Sequence, residues 1–561
     1  MEIAGYVYAA DRMVKRGSPD AVEYHSWSRE MRFFIKVRDY DFWKKKNVNQ
    51  KLSDALTFVS GDLSYSFTFI KGGKDTGQAN LYDVEGISLH KRENSVVALF
   101  SGGLDSLAGA LEVLETTDKN LILISHRSNN SAITQIQGGV FGMLNKDYPG
   151  RIQYFPFYCN LHGERAVEET QRSRIFLYTA IAHSLSSLAS EEEILVFENG
   201  ITSINFYKRQ DQINARSSRT THPKALHLLE DFYTMVGGKR HYIRHPFLYN
   251  TKTDIFNKIK RFGKAHYINS TISCTKTFLT FENNSQATHC GGCSQCIDRR
   301  FAAFASGLED EDAIYDVDIS KDSIKSDEAR IHLIDYMRLV AKLNGLTEFS
   351  FTTEMMDVLT DLIPYLAGNR NADKVGAVYK LTRSHTAQII SAIKRIQSLQ
   401  DPLKPKKKNT IHSYIDDREY LKPAVEPLIE QVVSKMMVAI PEAYNRHKPK
   451  NENELNDLIN ALLIADRDDY EREYPSIRFS ITRVIPDHSF PGIDLLIEAK
   501  YLREGTAKSS ITDGIAADIT KYPKDKYKLF IVYDPERKIS NDAVFKKDFE
   551  ANDRCTVCVI R

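Results

Sequence analysis

The sequence predicts an α/β protein organised around a doubly wound parallel sheet, followed by a helical region and a second α/β domain. Apolar runs of strand length recur in the first half of the chain, and helix-like segments separate them. The apolar runs comprise residues 96–100, 121–125, 152–157 and 194–197. The longer helix-like segments comprise residues 104–114 and 174–188. Buried strands that alternate with helices are typical of a parallel sheet with helices on both faces.

The chain has 561 residues, which is too long for a single hydrophobic core. We predict an N-terminal accessory α+β region (1–92), a parallel-sheet domain (93–310), a helical region with a linker (311–450) and a C-terminal α/β domain (451–561). Residues 310–400 are predicted to be helical throughout. The run 401–408 contains prolines and lysines and predicts an interdomain linker. We interpret its lysines as a solvated tether, with a DNA-contacting patch as the alternative.

Composition excludes several classes of protein. Hydrophobic residues make up 42% and charged residues 27% of the chain, and the formal net charge is +2. Contact with nucleic acid must therefore depend on local patches rather than on the field of the whole protein. The sequence contains no apolar run of about 18 residues, and its first residues do not resemble a signal peptide. We therefore expect a cytoplasmic protein with no membrane association.

A loop rich in glycine and serine follows the first predicted strand of the sheet domain. It consists of Ser101, Gly102, Gly103, Leu104, Asp105 and Ser106. The glycines permit a tight turn whose amides face an anion, and the hydroxyls and a helix N-terminus add to this. An ordinary strand-to-helix turn is the alternative. The S-G-G-x-D-S string resembles the PP-loop ATP pyrophosphatase family, which implies an adenine nucleotide alpha hydrolase-like fold and ATP as a cofactor.

Four of the seven cysteines lie close together in the sequence: Cys274, Cys290, Cys293 and Cys296. Successive C-x-x-C spacings allow neighbouring thiolates to converge on one ion, and four thiolates suit a tetrahedral structural zinc. An iron–sulfur cluster also accepts four cysteines, so the spacing leaves the metal open. We interpret the remaining cysteines, Cys159, Cys555 and Cys558, as structural residues.

The loop and the cysteines together resemble the 7-cyano-7-deazaguanine synthase (QueC) family. In that family the S-G-G-x-D-S loop is followed by a cysteine and then by H-C-G-x-C-x-x-C-x-x-R, as in residues 289–299 here. Residues 246–254 are similar to the family's Pro-Leu…Lys-x-Glu stretch, and residues 172–177 to its Arg-Asn-x-x-Phe-Leu helix start. The likeness covers roughly residues 93–310.

This resemblance implies that a carboxy-deazaguanine is converted to its nitrile with ATP and ammonia, through an acyl-adenylate. It implies that Ser101, Gly102, Gly103, Asp105 and Ser106 bind the ATP phosphates, that Arg172 assists with the nucleotide and that Lys252 lies near the active site. Residues 124–128, Ser173 and residues 221–224 depart from the family pattern where substrate would be bound. The acceptor, a purine-like small molecule or a macromolecule, is therefore left open.

Carboxylates and a lysine form a second pattern near the C-terminus. Pro486-Asp487 is followed by Glu498-Ala499-Lys500 at the end of an apolar strand. Because side chains alternate along a strand, Glu498 and Lys500 share one face. A hairpin that returns Asp487 to this face would place two carboxylates for Mg²⁺ and a lysine beside a reacting phosphate. Asp494 is a competing ligand, about 13 Å from Glu498 along an extended strand, and Glu473 is a further acid.

The second pattern resembles the PD-(D/E)xK restriction-endonuclease-like domains over about residues 450–561. That resemblance implies Mg²⁺-dependent nuclease chemistry, with a catalytically inactive nucleic-acid-binding relative as the alternative. We therefore expect an antiphage-defence effector that combines QueC-like chemistry with a nuclease, acting on nucleic acid and with protein partners from a defence operon. A biosynthetic deazaguanine synthase whose C-terminal domain only binds nucleic acid, and a nucleotide sensor without turnover, are the alternatives.

Overall fold

The computed structural model describes most of the chain, which divides into two compact units. The described residues are 1–17, 27–72, 94–127, 131–159, 161, 166–168, 172–189, 191–206, 219–276, 283–284, 286–399, 408–415, 425–464, 470–491, 494–524, 526–552 and 554–561. One unit comprises Met1–Val340 with Met355–Asp417, and the other comprises Ala341–Glu354 with Arg418–Arg561. Ser128 and residues 401–407 of the predicted linker lie outside the described residues.

Helices and strands alternate along both units. The strands are β1 (Glu30–Val37), β2 (Ser64–Lys71), β3 (Ser95–Leu99), β4 (Asn120–Arg127), β5 (Ile152–Tyr158), β6 (Glu193–Leu195), β7 (Tyr242–Arg244), β8 (Glu471–Arg472), β9 (Ile477–Phe479), β10 (Thr482–Val484), β11 (His488–Phe490), β12 (Leu495–Tyr501), β13 (Tyr527–Tyr533) and β14 (Cys555–Ile560). The α-helices are Glu2–Met13, Tyr40–Trp43, Lys46–Ser60, Leu104–Thr116, Ser131–Asp147, Arg174–Ala189, Gly200–Ile204, Pro223–Gly237, Lys252–Arg261, Ser294–Ser306, Asp327–Gly345, Glu348–Glu354, Met356–Leu362, Asn371–Ser398, Ile411–Ile415, Val425–Ala443, Glu452–Ile464, Lys508–Lys521 and Asp542–Glu550. Within the described ranges, no helix is both long and apolar enough to cross a membrane.

A parallel sheet of five strands forms the centre of the first unit, in the order β5-β4-β3-β6-β7. Alternate side chains of β3 enter different cores, because Val96 and Ala98 pack with the helix Leu104–Thr116, whereas Val97 packs with the helix Arg174–Ala189. The sheet is therefore covered on both faces, and the predicted parallel α/β fold is confirmed. Strand β7 was not predicted, because three residues are too few to show a periodic pattern.

The N-terminal region shares a core with the sheet domain. Strands β1 and β2 pair in parallel, and the helix Lys46–Ser60 lies between them in the sequence. Their buried side chains, among them Phe33 and Phe67, join the same hydrophobic cluster as the helix Pro223–Gly237. The two parallel strands and the helix between them form a βαβ arrangement, and this region has no core of its own.

The middle region is helical only from residue 327, so the prediction of helix throughout 310–400 is wrong for its first part. In that first part the Asp318 carboxylate accepts the backbone N–H of Ser320 at 3.0 Å, a local bond that competes with helix formation. The long helix Asn371–Ser398 then buries Ile389 and Ile393 in one cluster with Phe301. A helical middle is thus present, and its core includes the helix that follows the cysteines.

A mixed five-stranded sheet forms the centre of the second unit, in the order β14-β13-β12-β11-β8. Strands β12, β13 and β14 are parallel, and β11 is antiparallel to β12 and β8. The helices Val425–Ala443 and Glu452–Ile464 join the cluster on one face, and Lys508–Lys521 and Asp542–Glu550 join the cluster on the other. Strands β9 and β10 form a separate two-stranded ribbon.

Candidate functional site

The hairpin formed by β11 and β12 brings Asp487 to the E-x-K strand. His488 pairs with Ile497, so Asp487 comes opposite Glu498. The backbone N–H of Ala499 donates to Oδ2 of Asp487 at 2.9 Å, which fixes that carboxylate against β12. The structure therefore has the juxtaposition of Asp487 and Glu498 that the sequence predicts.

Glu498 and Lys500 share one face of β12, while Ile497 and Ala499 belong to the opposite core. The Lys500 ammonium lies 3.0 Å from Oε2 of Glu498 and 2.9 Å from Oδ2 of Asp518. Burial, and next the neighbouring negative charge of Asp487, raise the pKa of Glu498 to about 7. Burial opposes the positive charge of Lys500, but Glu498 and Asp518 together raise its pKa above the ordinary range. The lysine is therefore a fixed cation beside the carboxylates.

Three further residues of this site were not assigned roles from the sequence. Asp518 contacts Lys500, and the hydroxyl of Tyr522 donates to Oε1 of Glu498. Oε2 of Glu452 accepts the backbone N–H of Tyr501 at 3.1 Å, and burial raises its pKa. Glu452 and Asp518 lie on separate helices, so no spacing in the sequence relates them to β12.

The two alternative acids lie elsewhere. Oδ1 of Asp494 is 2.5 Å from the ammonium of Lys526, and Asp494 has a left-handed backbone (φ 60°) just before β12. The Glu473 side chain is 73% exposed and lies 3.7 Å from Nε of Arg472, although its backbone N–H donates to the carbonyl of Asp487. Neither side chain has a contact with Glu498 or Lys500 in the described part of the chain. The geometry therefore favours Asp487 over both.

The donor set of this site suits a hard divalent cation. Asp487, Glu498 and Glu452 offer carboxylate oxygens, and the charge of Asp487 reaches Glu498, whose pKa is raised by burial first and by that charge second. Within the described residues, the four cysteines form the only group of three or more ligating side chains whose atoms all lie within 4.8 Å of one another. Mg²⁺ prefers oxygen ligands and is bound by one or two carboxylates together with several waters, so Asp487 and Glu498 fit its donor set.

The predicted phosphate loop lies at the point where the strand order of the parallel sheet reverses. Strand β3 has β4 on one side and β6 on the other, and the loop begins at its carboxyl end. Ligands of open α/β sheets bind at this place. Gly102 adopts a left-handed conformation (φ 76°), and the hydroxyl of Ser106 donates to the carbonyl of Gly103 at 2.9 Å. The hydroxyl of Ser101 accepts the N–H of Gly103 at 3.2 Å. The loop is thus a compact turn at the start of a helix.

Asp105 of this loop forms an ion pair with Lys252. The Lys252 ammonium lies 2.8 Å from Oδ2 of Asp105, and both side chains are buried. The same oxygen accepts the backbone N–H of Asn199 at 3.2 Å and its side-chain amide at 3.1 Å. Burial and the charge of Asp105 raise the pKa of the neighbouring Glu198. Asp105 therefore positions Lys252 and the chain after β6.

Arg172, which the resemblance assigns to the nucleotide, lies against the N-terminal region. Its guanidinium is 4.5 Å from the ring centre of Trp27 and donates to the carbonyl of Ser60 at 3.3 Å. Burial lowers its pKa to about 10. The adjacent Ser173 donates through both its N–H and its hydroxyl to the buried carboxylate of Asp11. This stretch therefore connects the sheet domain to the N-terminal helix.

The four clustered cysteines converge in space. Their sulfur atoms all lie within 4.8 Å of one another, and those of Cys293 and Cys296 are 3.4 Å apart. The backbone N–H of Cys290 donates to the sulfur of Cys274 at 3.4 Å. Gly291 (φ 81°) makes the tight turn, where an added Cβ would lie 1.7 Å from the carbonyl oxygen of Val317. Four converging sulfurs on a tight turn form a site suited to zinc.

Comparison with known families concerns the second unit. Residues 428–561 match the family model of the DpnII-MboI restriction endonucleases (REase_DpnII-MboI). This match contains the Asp487, Glu498 and Lys500 group, and its first residues lie in the helix Val425–Ala443, which packs in the same core as β12. No curated protein matches the chain. The chain therefore contains a C-terminal restriction endonuclease domain of the DpnII-MboI type, which implies a DNA substrate and a divalent metal.

Proposed function

We propose that the protein is an antiphage-defence effector that cleaves DNA through its C-terminal domain and carries an ATP-dependent, QueC-like module in its first unit. The observation that supports the nuclease best is the group formed by Asp487, Glu498 and Lys500 within the DpnII-MboI match. Two carboxylates and a fixed ammonium on neighbouring strands suit hydrolysis of a phosphodiester. The family match makes duplex DNA the substrate to test first.

The residues of the site have separable roles in this proposal. Mg²⁺ held by Asp487 and Glu498 would lower the pKa of a bound water, which favours its attack on the phosphate, and would screen the phosphate charge. The Lys500 ammonium stabilises negative charge as it develops on the phosphate. Asp518 orients that ammonium, and Tyr522 orients the Glu498 carboxylate through its hydrogen bond.

Cleavage of plasmid and linear duplex DNA with Mg²⁺ or Mn²⁺ tests the nuclease. Asp487→Ala, Glu498→Ala and Lys500→Ala should each reduce the cleavage rate by several orders of magnitude, because each removes a metal ligand or the fixed cation. Asp494→Ala and Glu473→Ala are matched controls that should cleave at close to the parental rate. In a phage challenge, cells with either control variant should be protected, and cells with any of the first three variants should not. If the first three variants cleave DNA and protect cells as well as the parent, the nuclease assignment is wrong.

The second candidate activity belongs to the first unit. A phosphate loop at the carboxyl end of β3, with Lys252 buried beside it, supports ATP binding and adenylation of a purine-like acceptor. Incubation with ATP and a carboxy-deazaguanine, or with cell extract, should release pyrophosphate. Formation of ADP and phosphate would contradict this activity. ATP binding without turnover would favour a sensor, and turnover without DNA cleavage would favour a biosynthetic deazaguanine synthase.

A further inference from the structure

A small antiparallel ribbon projects from the nuclease domain just before the catalytic group. Among the described strands, β9 and β10 pair only with each other. Ser480 and Ile481 form the two-residue turn between them. The ribbon (residues 477–484) ends three residues before Asp487. At about 3.3 Å per residue, this separation is at most about 10 Å along the chain. The base of the ribbon is therefore close to Asp487, and a long ligand on the ribbon can extend to the catalytic group.

One face of the ribbon carries two cations that have no acidic partner in the described part of the chain. Arg478 and Arg483 are directly opposite each other across the two strands, and both are exposed. Like charges in this position destabilise a strand pair. Neither guanidinium has an acidic partner among the described residues, and their hydrogen bonds are with Ser480 and Ser476 of the same segment. The two charges thus repel each other across the ribbon, and only neutral groups of the same segment are hydrogen-bonded to them among the described residues.

The tip and the base of the ribbon are apolar and open to solvent. Ile481 is 96% exposed, and Ile485, just beyond β10, is 50% exposed. An isolated two-stranded hairpin is marginally stable in water, and exposed branched aliphatic side chains add nothing to its stability. Two adjacent cations and an exposed apolar tip therefore fit a ligand whose outer surface is negatively charged and whose inner groups are apolar.

We propose that the ribbon 477–484 enters a groove of duplex DNA, with Arg478 and Arg483 on phosphates or base edges and Ile481 against the base stack. Two-stranded β-ribbons enter the major or the minor groove of B-DNA, and in the minor groove aliphatic side chains act as wedges between base steps. The chain as a whole has a net charge of only +2, so binding of a polyanion requires a local patch of this kind. This inference rests on the proposed nuclease function and names the element that binds its substrate.

Fluorescence anisotropy in EDTA measures binding of the full-length protein to a duplex of about 30 base pairs. It tests whether Arg478 and Arg483 contribute to DNA affinity. EDTA prevents cleavage, so affinity is measured alone. Arg478→Ala and Arg483→Ala should each weaken binding about tenfold and reduce the slope of log K against log salt by about one. Lys547→Ala, an exposed cation on the helix Asp542–Glu550 of the same domain, is the matched control and should leave both quantities unchanged. The circular dichroism spectra of all three variants should match that of the parent, which shows that they fold in the same way.

Photocrosslinking tests the tip directly. A benzoylphenylalanine at position 481 should crosslink to the duplex, whereas the same group at Val544, which is 68% exposed, should not. If the protein cleaves duplex DNA but the arginine variants bind it with parental affinity and salt dependence, the ribbon inference is wrong and the nuclease stands. If position 481 crosslinks no more than position 544, the wedge is wrong. If the parent neither binds nor cleaves duplex DNA, both proposals fail.

Discussion

The carboxylate of Asp518 lies 2.9 Å from the ammonium of Lys500, so a residue of the helix Lys508–Lys521 orients the lysine of β12. Lys500 also contacts Glu498 on its own strand. An ammonium with two carboxylate partners has less freedom to rotate than one with a single partner. The helix is therefore part of the proposed catalytic site, although it supplies no residue of the E-x-K pattern.

We predict that Asp518→Asn lowers the rate of DNA cleavage by about ten- to a hundredfold, because a displaced positioning group weakens transition-state stabilisation. The loss should be smaller than for Lys500→Ala, and DNA affinity should be unchanged. Single-turnover cleavage at saturating enzyme measures the rate of the chemical step separately from DNA affinity. Asp513→Asn, at an exposed position of the same helix, should retain the parental rate. Equal rates for both variants would show that Asp518 does not position the lysine.

Gly102→Ala should weaken ATP binding by about tenfold, since a left-handed conformation costs a residue with a side chain about 1–2 kcal/mol. The added Cβ would also lie 3.0 Å from Cγ and 3.3 Å from Cα of Gln137. Isothermal titration with ATP measures the loss. Gly139→Ala is the control, because no atom lies within 4 Å of an added Cβ on the helix Ser131–Asp147. Parental affinity in Gly102→Ala would mean that this loop does not bind the nucleotide.

Elemental analysis of purified protein should give about one zinc per chain. Cys293→Ser should lose most of this zinc and unfold at a lower temperature, because one of the four converging thiolates is removed. Cys159→Ser, in the sheet domain and outside the cluster, should keep its zinc. Iron with visible absorbance in the parent protein would contradict the zinc assignment.

The stability of the first unit should depend on pH through Asp62. Its carboxylate is 2.6 Å from Arg29 and 3.0 Å from Arg16. Burial opposes its charge, but these arginines hold the pKa of Asp62 below its ordinary value. A lowered pKa in the folded state means that the stabilisation is complete above the ordinary value near 4 and is lost as the pH falls through the folded value.

Asp62→Asn should therefore lower the free energy of unfolding by about 3–5 kcal/mol at pH 7, as expected when one member of a buried ion pair is removed. The difference from the parent should shrink below pH 4. Urea denaturation followed by circular dichroism at a series of pH values measures it. Asp54→Asn, an exposed position on the helix Lys46–Ser60, should show no such pH-dependent difference. A difference that persists unchanged into acid would exclude Asp62 as its source.

Local pattern was enough to predict the elements whose residues are close together in the chain. The apolar runs predicted β3, β4 and β5, the cysteine spacing predicted convergence of four sulfurs, and strand alternation predicted that Glu498 and Lys500 share a face. Each inference depends on a fixed geometric period or a short spacing, which the backbone reproduces wherever the element forms. The hairpin that places Asp487 opposite Glu498 was also predictable, because only a short stretch of chain separates its two strands.

The tertiary structure alone decided which distant residues meet. Asp518 and Tyr522 contact β12 from the chain after it, and Glu452 from the chain before it. Lys252 contacts Asp105 across nearly 150 residues. The order of the parallel strands, which places β3 between β4 and β6, has the same origin. Such contacts depend on how whole helices and strands pack to bury their apolar faces. The periodic pattern within one element does not predict which other elements it packs against. The sequence therefore determined the types of chemical group, and packing determined which of them act together.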